Sequence, residues 1–245
     1  MATFVLVHPA WFGGWCWKKL TPLLRDAGHV VFTPTLTGLG DRTHLASRDV
    51  GLETNIQDVA STIEFEDLTE VILVGNSSGG AVITGVADRA GERIAQLVYL
   101  DAFVPVDGQS LFDVIPPDRR PAMEALVAEE GDGWLLPRFS AMPWEQFVPM
   151  SWQVTDKDDL AWALERLSPT PFRHFTEPIH LHTPDADAPH RVYIRCRGWP
   201  HPGFDRYAER AGSDPAWELR ELDTSHLPYI TDPEKLADLL NDLAA

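Results

Sequence analysis

The chain has 245 residues, 44% hydrophobic and 23% charged, which are ordinary values for a globular protein able to bury a sizeable core. Its formal net charge of −17 argues against nucleic acid and anionic membrane surfaces as partners, since either would repel it. Two cysteines, Cys16 and Cys196, make no disulfide framework and read as buried free thiols.

Met1-Ala2-Thr3 leads directly into Phe4-Val5-Leu6-Val7. No basic segment with a long apolar stretch precedes it, and no run is long enough to span a bilayer, so the expected location is cytoplasmic. Phe4 to Val7 reads as a first buried strand, followed by the glycine-bearing loop His8 to Gly14, where a backbone donor can face a ligand. Trp17, Leu20, Leu23, Leu24 and Ala27 fall at helical spacing and stop at Gly28. His29 to Thr33 is a second strand, Thr37 to Leu45 a loop punctuated by glycines, and Ile56, Val59 and Ile63 mark one face of a helix.

Val71-Ile72-Leu73-Val74 suits a strand buried on both faces. Gly75-Asn76-Ser77-Ser78-Gly79 follows and fits G-x-S-x-G, and the small-residue stretch Gly80 to Ala90 reads as a helix packed against a sheet. Strand, glycine-flanked serine and helix together form the context of a nucleophile elbow. The glycines let the turn form without Cβ clashes, and the Ser78 N–H, at the positive end of the helix, faces a developing oxyanion. Ile94 to Leu100 is another strand, ending at Asp101. Alternating strands and helices imply a parallel sheet with helices on both faces and a ligand site beyond the carboxyl ends of the strands. Ser77, the loop at residues 8 to 14 and Asp101 all follow strands and are expected at one rim.

From about Pro105 to Asp187 the pattern changes. Prolines are frequent, and helical spacing survives only in pieces, at Met123, Leu126 and Val127, then at Leu160, Ala163, Leu164 and Leu167. This segment reads as a mainly helical cap inserted into a core of residues 1–104 and 188–245. Trp134, Trp144, Trp152 and Trp162 fit either the small core of that cap or the wall of a pocket. The expected pocket residues are Trp11, Phe12, Trp134, Trp144 and Trp152. Val192-Tyr193-Ile194, then Trp217, Leu219 and Leu222, are further strands. The closing helix has Asp232 at its N-cap, Pro233 at its first position and Leu236, Leu239, Leu240 and Leu243 on its buried side.

Serine needs a base to take its proton, and histidine has the suitable pKa. Of nine histidines, His226 lies after the last strand and before the closing helix, at the rim expected for Ser77. His8, too early in the chain for the base, is expected to shape its loop. His180, His182 and His190 have no metal-binding spacing, and no phosphate loop or dinucleotide fingerprint is present, so neither metal nor cofactor is implied.

The chain resembles the α/β-hydrolase superfamily, and is most similar to the branch of small bacterial carboxylesterases, plant methyl-salicylate and methyl-jasmonate esterases and hydroxynitrile lyases. The resemblance rests on Val5 to Trp17, on Thr35 to Leu45, on the elbow, on Tyr99 to Pro105 and on Ser225-His226. It implies Ser77 as nucleophile, His226 as base, and the N–H groups of Ala10 and Ser78 as oxyanion hole. Two departures stand out. Trp199 occupies the position at which the family often carries its acid, so the acid comes from elsewhere: Asp101 is the first choice, from the strand end used by haloalkane dehalogenases, and Asp205 the second. Pro9 replaces a glycine, without loss of the Ala10 N–H. Lyases of the branch carry Thr at position 9 and Lys after the histidine, where this chain has Pro9 and Leu227, which argues against cyanohydrin cleavage.

The expectation is a cofactor-independent serine carboxylesterase cleaving small-molecule esters of small to medium apolar or aromatic acids. A homodimer is left open as its assembly. The alternatives are a biosynthetic enzyme using the same pocket for C–C cleavage, lactonisation or cyclisation, and a ligand-binding protein on a hydrolase scaffold.

Overall fold

A computed structural model describes residues 1–137, 143–182 and 189–245. Short apolar, β-branched runs become strands, and amphipathic stretches become the helices that cover them. The first half runs β1 (Thr3–Val7), α1 (Leu20–Asp26), β2 (Val30–Phe32), α2 (Leu52–Phe65), β3 (Val71–Asn76), α3 (Gly79–Ala90) and β4 (Ile94–Leu100). All six residues of β3 are buried, as a strand covered on both faces requires. α2 turns Ile56, Val59 and Ile63 inward, and Gly85 of α3 lets the two helices approach: a Cβ there would lie 2.3 Å from Ile56 Cδ1.

Between β4 and the next sheet strand the chain forms short pieces. These are α4 (Leu111–Val114), α5 (Arg120–Glu130), β5 (Leu135–Leu136), α6 (Trp144–Phe147), a π-helical turn (Val148–Trp152), α7 (Lys157–Leu164), β6 (Thr170–Pro171) and α8 (Arg173–Thr176). β5 and β6 pair antiparallel, a small ladder that the sequence pattern did not signal. The expected cap boundary, Asp187 and residue 188, lies outside the described residues.

The chain then returns through β7 (His190–Cys196), α9 (Pro202–Ser213), β8 (Trp217–Leu222), α10 (Pro228–Thr231) and α11 (Pro233–Leu243). α9 was not among the elements expected from the sequence. Its Phe204, Tyr207, Ala208 and Ala211 are buried at helical spacing, and Pro202 sits in its first turn. Asp232 occupies the N-cap position of α11 without capping it; its carboxylate faces Lys235 Nζ at 3.1 Å instead.

The main sheet has the order β2-β1-β3-β4-β7-β8 with every pairing parallel. The chain runs outward from β1 to β2, then crosses back to β3 on the other side of β1. That reversal opens a crevice beyond the carboxyl ends of the strands, where His8, Ser77 and Asp101 emerge. Among the described residues, no helix is long and apolar enough to cross a membrane.

Candidate active site

Three non-glycine residues just beyond strand ends have positive φ: Trp11 at 68°, Ser77 at 53° and Asp101 at 45°. Each costs on the order of 1–3 kcal/mol, and such strain gathers where a side chain must be aimed. Ser77 is held in its turn by packing on both sides: a Cβ on Gly75 would lie 2.6 Å from the Gly79 carbonyl oxygen, and one on Gly79 would lie 2.8 Å from that of Val7. The Ser77 N–H donates to Leu100 O, and its carbonyl accepts from Phe103 N–H, which ties the elbow to the end of β4.

His226 follows β8 and is buried. Its Nδ1 lies 2.8 Å from Asp101 Oδ2; a carboxylate only accepts, so Nδ1 carries the proton and Nε2 is left as the basic nitrogen. Asp101 Oδ1 accepts from Arg195 Nη1 at 2.7 Å and from the Cys196 N–H at 3.1 Å. Arg195 continues to Asp205 Oδ1 through Nε at 2.9 Å and to the Trp199 carbonyl through Nη2 at 2.9 Å. Burial acts against the Arg195 charge, but Asp101 and Asp205 outweigh it and raise the guanidinium pKa above its usual value. Of the two candidate acids, Asp205 faces Arg195 and Arg197, and Asp101 meets the imidazole. Trp199, at the family's acid position, lays its indole on His226 with ring centroids 3.9 Å apart.

Ser77 and His226 line one cavity of about 270 Å³, together with Trp11, Phe12, Phe147, Trp152, Phe175 and Trp199 among other side chains. No hydrogen bond joins Ser77 Oγ to the ring among the described residues. Trp134 and Trp144, expected on the wall, lie off it. Trp134 sits under the Arg48 guanidinium at 5.8 Å, and Trp144 packs behind Trp11 and Trp152. A second cavity of about 360 Å³, bordered by α3, β4 and Trp217, contains none of the expected catalytic residues.

Of the two expected oxyanion donors, the Ala10 N–H donates to Ser78 Oγ at 2.8 Å, and both residues line the cavity. His8 shapes this loop: its Nδ1–H donates to Pro9 O at 2.8 Å and its Nε2 accepts from the Leu36 N–H at 3.0 Å. Burial lowers its pKa to about 4, so the ring stays neutral and keeps both bonds at neutral pH.

Two residues went unnoticed in the sequence. Arg195 interrupts the otherwise apolar end of β7, and a charge at a buried strand position needs a partner, which was the available signal. Asn76 is buried within the elbow; its Nδ2 donates to Leu100 O at 2.8 Å and His226 O at 3.3 Å, and its Oδ1 accepts from Tyr229 OH at 3.0 Å. It binds the elbow to the loop that carries the histidine.

A parallel sheet with a serine on a strained strand-to-helix turn and a His–Asp pair arriving from later strands is the architecture of an α/β hydrolase. The chain belongs to the Alpha/beta hydrolase family, whose model matches residues 4–239. It is 40% identical over 240 residues to the carbendazim hydrolyzing esterase of Nocardioides sp. (strain SG-4G), covering 98% of each chain. It is 25% identical to putative methylesterase 14, chloroplastic, of Arabidopsis thaliana, covering 98% of this chain and 71% of that one. An extracellular α/β-hydrolase from a Paenibacillus species has the same fold, with a TM-score of 0.81 at 24% identity over 99% of this chain and 98% of that one.

Proposed function

We propose that the protein is a cofactor-independent serine carboxylesterase acting through an acyl-enzyme, with Ser77 as nucleophile, His226 as general base and acid, and Asp101 orienting the imidazole. The observation that carries this reading is the 2.8 Å contact between His226 Nδ1 and Asp101 Oδ2, made beside the cavity that Ser77 also lines. With Nδ1–H held by the carboxylate, Nε2 accepts the Ser77 proton as Oγ attacks the ester carbonyl. The imidazolium returns that proton to the leaving alkoxide. Nε2 then deprotonates a water that attacks the acyl-enzyme, and the acid leaves with Ser77 restored. In this reading the segment between β4 and β7 is a cap that roofs the cavity.

The aromatic wall favours esters of small to medium apolar or aromatic acids. Carbendazim, the compound named for the 40% identical relative, is the first candidate substrate. A fluorophosphonate probe tests the assignment: labelling at Ser77, lost in Ser77→Ala along with several orders of magnitude of p-nitrophenyl ester turnover, is the expected result. An unlabelled protein would favour a ligand-binding scaffold, and an unaffected Ser77→Ala rate would reject the nucleophile.

A further inference from the structure

We propose that the Ser78 hydroxyl is itself an oxyanion-binding group: it accepts the Ala10 N–H and directs its own proton to the oxyanion, forming a two-step hydrogen-bond relay. The inference rests on the reading of Ser77 as nucleophile and adds a side-chain role to the Ser78 backbone donor.

The loop after β1 is the first reason. A hole of two backbone donors needs one N–H from this loop, and at the four loop positions that line the cavity, Pro9 to Phe12, none is uncommitted. Pro9 has none, Ala10 N–H goes to Ser78 Oγ at 2.8 Å, Trp11 N–H to Thr170 Oγ1 at 2.9 Å, and Phe12 N–H to Pro9 O at 3.3 Å. The Ala10–Ser78 bond is sealed from solvent, with the two residues 1% and 3% exposed, yet both line the cavity beside Ser77.

An incoming oxyanion therefore meets one of two arrangements. In the first it displaces Ser78 Oγ from Ala10, leaving a buried hydroxyl oxygen without its partner at a cost of about 1–3 kcal/mol. In the second no bond is broken. The hydroxyl carries one rotatable proton, and accepting from Ala10 leaves that proton free to turn toward the cavity that Ser78 lines. Polarisation by the Ala10 N–H strengthens the O–H as a donor. The relay keeps every existing hydrogen bond and adds one when negative charge develops, as transition-state stabilisation requires. No proton is transferred: the oxyanion accepts a hydrogen bond and is released when the tetrahedral intermediate collapses.

The test is steady-state hydrolysis of p-nitrophenyl esters by the full chain and its Ser78→Ala, Ser78→Cys and Ser78→Thr variants, with inhibition by an aryl trifluoromethyl ketone. Ser78→Ala is expected to lower kcat/KM by about 10²–10³-fold, the loss that follows removal of one oxyanion donor. Affinity for the ketone should fall in step, and KM should change little. Ser78→Cys, close in size but a weak donor, should follow Ala; Ser78→Thr, which keeps the hydroxyl, should retain most of the activity. Wild-type or faster turnover in Ser78→Ala or Ser78→Cys would overturn the relay and make the hydroxyl a mere cover for Ala10. So would a Thr variant as slow as Ala. Fluorophosphonate labelling separates the two failures: wild type unlabelled at Ser77 removes the nucleophile assignment, whereas labelled wild type with an unimpaired Ser78→Ala variant removes the relay alone.

Discussion

Arg195 and Asp101 are locked together inside the protein: Nη1 donates to Oδ1 over 2.7 Å, with the two side chains 1% and 0% exposed. The pair orients the Asp101 carboxylate, because one oxygen is held by the guanidinium and the other is left for His226. Two buried charges gain little over a well-packed apolar pair, but removing one strands the other. Arg195→Met is therefore expected to reduce unfolding free energy by about 3–5 kcal/mol in urea titrations. Adding Asp101→Asn to Arg195→Met should restore part of that loss. A loss below about 1 kcal/mol, the range of an exposed pair, would contradict the buried lock.

The same network separates the two carboxylates kinetically. Asp101→Asn preserves shape but no longer fixes the proton on His226 Nδ1, and kcat should fall on the order of 10⁴-fold. Asp205→Asn leaves the imidazole contact intact and should keep kcat near wild type, with some loss of stability through Arg195. Kinetics of both variants on one ester decide the matter; the reverse ranking would move the acid to α9.

Wall and non-wall tryptophans are distinguished by substrate size. Trp152 lines the cavity and packs on Phe12 and Phe147 with ring centroids 5.5 and 5.2 Å away. Trp152→Ala is expected to cost about 3–5 kcal/mol of stability and to shift kcat/KM toward bulkier acyl groups. Trp134→Ala gives up a contact with Arg48 outside the cavity and should leave the acyl-chain profile unchanged. Profiles over a series of p-nitrophenyl esters provide the readout.

What was legible in the sequence was what is written locally. The run Val71 to Val74, the glycines around Ser77 and the small residues of α3 lie within twenty residues, so strand, turn and helix were readable together. The place of His226 after the last strand and of Asp101 at the end of β4 was readable too, and the two side chains meet. The missed elements depend on distant partners. Arg195 meets Asp101 across 94 positions, Asn76 meets the His226 carbonyl across 150, and Ser78 meets Ala10 across 68. No local pattern encodes those meetings. The side of the segment that a tryptophan faces is likewise set by packing, so Trp152 and Trp134 looked equivalent along the chain. α9 was the avoidable miss, since the helical spacing of Phe204, Tyr207, Ala208 and Ala211 was present in the sequence.

Acid stability offers a last prediction, because two histidines are buried in neutral form. Burial lowers His8 to about 4 and His174 to about 3, from an ordinary 6.5. His174 Nδ1–H donates to Asn55 Oδ1 at 2.8 Å, and Asn55 Nδ2 donates to Thr37 O, so this ring joins α8 to α2 and the loop before it. Above pH 6.5 both rings are neutral whether folded or unfolded, and their contribution is fully present. Below it the unfolded chain takes up protons that the folded chain refuses, so stability falls with pH until the folded rings themselves titrate. Each ring adds a slope of up to about 1.4 kcal/mol per pH unit over that window. His201, lowered to about 4 by burial but partly exposed at the cavity, adds a smaller share. Urea midpoints should therefore drop steadily from pH 6.5 toward about 4, before the Asp113 carboxyl, held low by the Ser110 hydroxyl, takes part. His174→Asn should flatten the profile by one ring's share while lowering stability at neutral pH. A profile with the wild-type slope in that variant would show that His174 does not resist protonation in the fold.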